Sequence, residues 1–158
     1  MDGLNHNEFS MESLFPELDR EATINRCKHF LAVTFPAMVR NSGRSISDLK
    51  AVEMDGMPKS PSSENTADRR IVQRLFAEQV VKRTIEAFSH VSDRSKQVLS
   101  MLYIEEFTDG MCYRAIGYEK TQYFDKVKPH ALLEFADAYL LDDLHIYKER
   151  QDSKKTGV

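Results

Sequence analysis

The chain has only two cysteines, six glycines, five prolines and no tryptophan in its 158 residues. Cys27 and Cys112 lie far apart, each inside an apolar helical pattern. That placement suits small buried hydrophobes in a reducing compartment rather than a structural disulfide. No Cys-x-x-Cys pair and no paired His/Cys spacing occurs, so no metal site is expected. The N-terminus lacks a basic region followed by an apolar core, and hence a secretory signal. The longest apolar run, Phe30 to Val39, is broken by Thr34 and Pro36 and falls short of the ~20 residues that span a bilayer. The expectation is a cytoplasmic chain without membrane contact. No nucleophile, base or metal constellation stands out, and Asp142-Asp143 are a pair only by adjacency, because helix neighbours point apart. Neither catalysis nor a cofactor is expected. The missing tryptophan decides nothing.

Excess positive charge is missing too. Lys and Arg number 22 against 25 Asp and Glu, for a formal net charge of -3 and a pI near 6.0. Phosphate neutralisation normally needs a basic footprint, so this balance argues mildly against nucleic-acid binding. Any DNA affinity of a monomer should be modest, and dimerisation or a partner protein would have to add to it. What the chain does have is 41% hydrophobic and 30% charged residues, an ordinary, helix-leaning composition. Its length fits one domain or two small helical ones, enough for a real core.

The pattern along the chain predicts an all-α fold with two helical units joined by a flexible linker. Residues 1–17 are polar and irregular and read as an arm. Residues 18–43 form an N-terminal helical unit, with Asp19 as N-cap and Glu21 in the first turn. Ile24, Cys27, Leu31 and Phe35 make one apolar stripe, which Pro36 ends or kinks. Residues 44–65, rich in Ser, Pro and Gly, read as a linker or surface loop. Residues 66–147 form the second unit. Asn65 or Thr66 caps its first helix, whose apolar face comprises Ile71, Val72, Leu75, Phe76, Val80, Ala87 and Phe88. Ser92 caps the next helix, and Val98, Leu99, Leu102 and Tyr103 form its buried side. Residues 148–158 read as a charged, disordered tail.

The informative stretch runs from Ser92 to Ala138. Met111, Cys112, Ala115 and Ile116 make a short helix, and Gly117 suits the left-handed conformation a sharp turn requires. A further helix then repeats Phe124, Val127, Ala131 and Phe135 at three and four residues. This is the shape of a helix-turn-helix, whose second helix lies in the DNA major groove. With Phe124 facing inward, Gln122 and Lys126 point outward, flanked by Tyr123, Asp125 and His130. Gln122 suits bidentate pairing with adenine, Lys126 guanine or phosphate, and Thr121 phosphate or a thymine methyl. Lys120 and Arg114 are placed as backbone contacts, and Lys128 adds local positive charge. In Tyr123-Phe124 one ring is needed for the core, and the other is a weaker candidate for base stacking. Pro129 conflicts with a continuous helix, so the helix is kinked there or stops near Lys128 and restarts. The bland alternative is a solvated polar face on an ordinary three-helix unit.

The segment order, with MPKSPSSEN (Met57 to Asn65), the Ile-Gly-Tyr turn at 116–118 and ALLEFADAY (Ala131 to Tyr139), resembles the ArpU-type phage transcriptional regulators. The resemblance runs from about Leu14 to Leu141. It implies an all-helical protein with a C-terminal helix-turn-helix similar to region 4 of bacterial sigma factors. It also implies double-stranded DNA as partner near late promoters for packaging and lysis functions, a link to muramidase export, and contact with RNA polymerase. The turn then falls on Gly117-Tyr118 and the recognition helix begins near Thr121. This sequence departs from the usual spacing by one extra residue between Gly117 and Phe124, and Pro129-His130 replaces what is often a charged helix former. Two other functions fit the pattern: a small terminase-like packaging protein, or a sigma-like adaptor that touches mainly polymerase.

Overall fold

A computed structural model describes residues 15–50 and 67–149, and within them the fold is all-α. Of the arm over 1–17, the linker over 44–65 and the tail over 148–158, residues 1–14, 51–65 and 150–158 lie outside the described residues, as does the helix cap at Asn65 or Thr66. The helices are α1 (Arg20–His29), α2 (Phe35–Asn41), α3 (Ile46–Leu49), α4 (Ala67–His90), α5 (Asp93–Tyr103), α6 (Asp109–Ile116), α7 (Lys120–Gln122) and α8 (Lys128–Ala138).

Asp19 caps α1 as its chemistry suggests: its carboxylate accepts from the Ala22 N–H at 3.1 Å, with Glu21 in the first turn. The stripe Cys27, Leu31, Phe35 is buried and continues to Val39. Four-residue steps advance an ordinary helix by about 40° each, so such a stripe would wind away from the core. It does not wind away, because Phe30–Thr34 is a wide π-helical turn in which the Phe35 N–H reaches back five residues to the Phe30 carbonyl. Pro36 follows as the second residue of α2. A proline has no N–H to give and crowds the carbonyl four residues back, and the wide turn accommodates both. Pro36 therefore neither ends nor breaks the run.

The stretch read as linker begins with structure. Ser45 and Asp48 form a reciprocal capping box that starts α3, and Leu49 is buried. The box is legible as Ser-x-x-Asp, but the serine-rich context hides it. The larger departure is on α4. Ala77, Val80, Val81, Thr84, Ala87 and Phe88 are buried, yet Val72, Leu75 and Phe76, expected on the apolar face, are 64%, 46% and 57% exposed. A helix of 24 residues is about 36 Å long, and burial on it begins in earnest only at Ala77.

One core joins all of this. α8 packs against α1, α4 and α5, and α2 packs against α4. Phe135 of α8 is fully buried, with its ring centre 5.9 Å from Phe30, 5.6 Å from Phe88 and 5.6 Å from Tyr139. Cys27 and Cys112 are buried free thiols, and burial pushes Cys27 up to about 12, so it stays protonated and inert. The chain ends of this unit are tied by backbone: the Asp19 N–H donates to Ile146 and the Lys148 N–H to Glu17, each at 2.8 Å. Buried Thr23 donates to the Asp19 carbonyl and accepts from the Ile146 N–H at 3.0 Å, so none of its polar capacity is stranded. Among the described residues no helix is long and apolar enough to cross a membrane, and no group of His, Cys, Asp and Glu could hold a metal ion.

Candidate nucleic-acid interface

Thr108 starts α6 by accepting from the Met111 N–H at 3.2 Å. Gly117 ends it at φ +79° and ψ 28°, its N–H bonded to Arg114, while the Tyr118 N–H bonds to Tyr113 at 2.9 Å. These are the bonds of a left-handed helix stop. The chain then enters α7 through Glu119 in extended conformation. A Cβ on Gly117 would meet nothing within 4 Å. Gly117→Ala therefore carries backbone strain alone, expected to cost about 1–2 kcal/mol, and a urea midpoint unchanged from wild type would refute the strained turn.

Past α7, Tyr123–Val127 is a second π-helical turn, with the Lys128 N–H bonded to the Tyr123 carbonyl. Pro129 follows it just as Pro36 follows the first. The helix does not stop at Pro129: the wide turn leads straight into α8, with Pro129 as its second residue. The register changes with it. Tyr123, expected on the outer flank, is fully buried, and Phe124, expected in the core, is 41% exposed. Thr121 and Asp125, two residues to either side of the buried Tyr123, are exposed on the outer face. Gln122, Phe124 and Lys126 are exposed as well.

Asp109, the first residue of α6, explains why tyrosine goes inside. Its Oδ1 accepts from the Tyr123 hydroxyl and from Lys128 Nζ, both at 2.8 Å. Burial pushes the Tyr123 hydroxyl well above its ordinary value, and Asp109 adds to this, so it remains a donor. Asp109 is itself held below the usual carboxylate range: burial opposes ionisation, but hydrogen bonds from Lys128 and Tyr123 outweigh it. Lys128, expected to add free positive charge, is 13% exposed and committed to this pair. Both corrections have one cause, an acceptor 14 and 19 residues upstream that local periodicity does not reveal.

The other expected contacts are at the surface: Arg114, Lys120, Thr121, Gln122, Lys126 and His130 are all exposed. His130 Nε2 lies 3.0 Å from Glu134, whose other oxygen accepts from the Ser92 hydroxyl at 2.8 Å. Ser92 thus spends its side chain on α8 rather than on capping α5. Arg114 lies near its neighbour's ring, 5.9 Å from the Tyr113 centre. Arg94 was not singled out by the sequence: its guanidinium sits 4.7 Å from the Tyr118 ring centre, bringing a cation from α5 to the turn. A second surface is apolar, a groove of about 460 Å³ between α1, α2, α4 and the segment after α8, lined by Phe30, Met38, Phe76, Val80, Tyr139 and Leu141.

The chain is 30% identical over 137 residues to "Putative autolysin regulatory protein ArpU" of Enterococcus hirae, covering 85% of this chain and 98% of that one. The chain belongs to the ArpU family. A second relative with the same name, from Streptococcus phage O1205, is 28% identical over 131 residues, covering 80% of this chain and 93% of that one. No family model and no solved structure matches. Both ArpU relatives are thus named as regulatory proteins, and one is encoded by a phage. Their matched lengths take in most of this ArpU-family chain, well beyond the segment from α6 to α8.

Proposed function

We propose that this chain is a phage or prophage transcription regulator that binds double-stranded DNA through a helix-turn-helix made of α6 and α7–α8. It acts in the bacterial host cytoplasm and switches on late genes for packaging and lysis, in keeping with the autolysin-regulator names of its relatives. The supporting observation is the left-handed stop at Gly117 followed by a helix whose rear is locked on Asp109 while Thr121, Gln122, Asp125 and Lys126 stay exposed. Donors and acceptors on the first turns of such a helix are what a major groove reads. Arg94, Arg114 and Lys120 supply phosphate contacts around the turn. Glu119 and Asp125 offset part of that charge, so affinity per protomer is modest and a homodimer would raise it.

Fluorescence anisotropy against duplexes from upstream of the packaging and lysis genes of its own genome tests this reading. Equal affinity for scrambled duplexes at every salt concentration ends it. Gln122→Ala is expected to cost about 1–3 kcal/mol on the preferred duplex and to relax sequence preference. Lys126→Ala should weaken binding and flatten the salt dependence if it meets phosphate. A second reading, an adaptor that binds mainly RNA polymerase, draws support from the exposed Val72, Leu75 and Phe76 of α4, the last of which lines the apolar groove. Under it both substitutions leave promoter activation nearly intact, while Phe76→Glu abolishes it.

A further inference from the structure

We infer that Phe124 is a thymine reader: its ring makes the apolar contact to a thymine methyl in the major groove. This rests on the proposed DNA-binding role of α7–α8 and names the base chemistry that face selects.

Phe124 is 41% exposed although it sits beside the buried Tyr123 and the half-buried Tyr113. Its ring stands edge-on to Tyr123, with centres 5.1 Å apart at 81°, and to Tyr113, at 6.4 Å and 68°. Tyr123 is pinned by its hydroxyl on Asp109, so the surface beneath Phe124 is rigid. Lys128 Nζ lies 5.9 Å from the ring centre and closes another side. The ring is therefore held in place while much of its surface faces water. The exposed part of the ring adds nothing to folding, since burial stabilises in proportion to the area removed from water.

The position suits recognition. Phe124 follows Lys120–Gln122 directly, in the first turns of the helix, next to the exposed Thr121, Gln122 and Asp125. Those neighbours offer hydrogen bonds to base edges; Phe124 offers none. The apolar group a base edge presents in the major groove is the C5-methyl of thymine, and phenylalanine is among the side chains that contact it. A rigid ring also avoids the ordering cost that a flexible apolar chain would add on binding. Met111, in the first turn of α6, is another large exposed apolar side chain, 48% exposed, and serves as the internal control.

The full chain is used to select duplexes from random sequence, and each thymine of the preferred duplex is replaced in turn by deoxyuridine, which removes only the methyl. One thymine in each half-site should lower wild-type affinity about 3–10-fold when replaced. In Phe124→Ala that same replacement should change affinity less than 1.5-fold, whereas Met111→Ala should keep the wild-type response. Circular dichroism verifies folding, and Phe124→Leu, which retains apolar bulk, should recover part of the sensitivity. A wild-type chain indifferent to every deoxyuridine overturns the inference with no variant needed. So does Phe124→Ala keeping full sensitivity, or Met111→Ala losing it. A selection that enriches no sequence overturns the DNA-reading role itself, a different failure from specific binding without a methyl contact.

Discussion

Phe135→Ala is expected to destabilise the chain by about 3–5 kcal/mol, a large fraction of the 5–15 kcal/mol typical of a domain. The ring is wholly buried and touches three other rings from separate stretches: Phe30 after α1, Phe88 of α4 and Tyr139 after α8. No single element can close over the space it leaves. Phe88 also meets Phe35 at 6.5 Å, so the vacancy would loosen a linked cluster rather than one contact. Urea unfolding should show the midpoint falling while the slope stays near wild type. Leu140→Ala, at a residue 77% exposed, should change stability by no more than about 0.5 kcal/mol. Similar losses from the two variants would mean that α8 is not the central element of the core.

The parts of this fold that were legible in the sequence are those governed by short-range chemistry. The stripe through Cys27, Leu31 and Phe35 follows from helical period, and Asp19 follows from its side-chain acceptor. Gly117 is legible because few other residues accept φ +79° cheaply. The family resemblance was legible as well, since the ArpU family is where the chain belongs. Three features stayed hidden. A constant 100° step assumes an unbroken α-helix, and the π turn at Tyr123–Val127 breaks that assumption inside the very helix in question. Pro129 marks the place in the sequence, because a proline inside a helix needs the carbonyl four residues back to give way. The choice between adjacent Tyr123 and Phe124 depended on a hydroxyl finding Asp109, a tertiary fact. On α4, period alone marks a face as apolar without saying whether anything covers it, and Val72, Leu75 and Phe76 show that nothing described here does.

Asp109→Ala should cost about 2–3 kcal/mol near neutral pH, since it leaves a buried hydroxyl and a nearly buried ammonium without their shared acceptor. The pH dependence is the more diagnostic half of the prediction. In the folded chain Asp109 sits below the ordinary carboxylate range, because the Lys128 and Tyr123 hydrogen bonds and the Lys128 charge overcome the burial that opposes them. Its unfolded value is about 3.9. A carboxylate with a depressed folded value contributes its full stabilisation above the unfolded value and loses it as pH falls through the folded one. Wild type should therefore lose this contribution on acidification below about pH 4. Asp109→Asn keeps the shape but has no charge to titrate, so its stability should start lower at pH 7 and decline less. Glu134 and Asp143 are also held low, Glu134 by Ser95 and Ser92 against its burial and Asp143 by His145 hydrogen bonds. Their contributions are common to both chains and cancel in the difference. Urea titrations of the two proteins between pH 7 and pH 3 should yield curves that converge on the acid side. Parallel curves would show that the carboxylate carries no linked stability, and the lock holding α7–α8 against α6 would have to lie elsewhere.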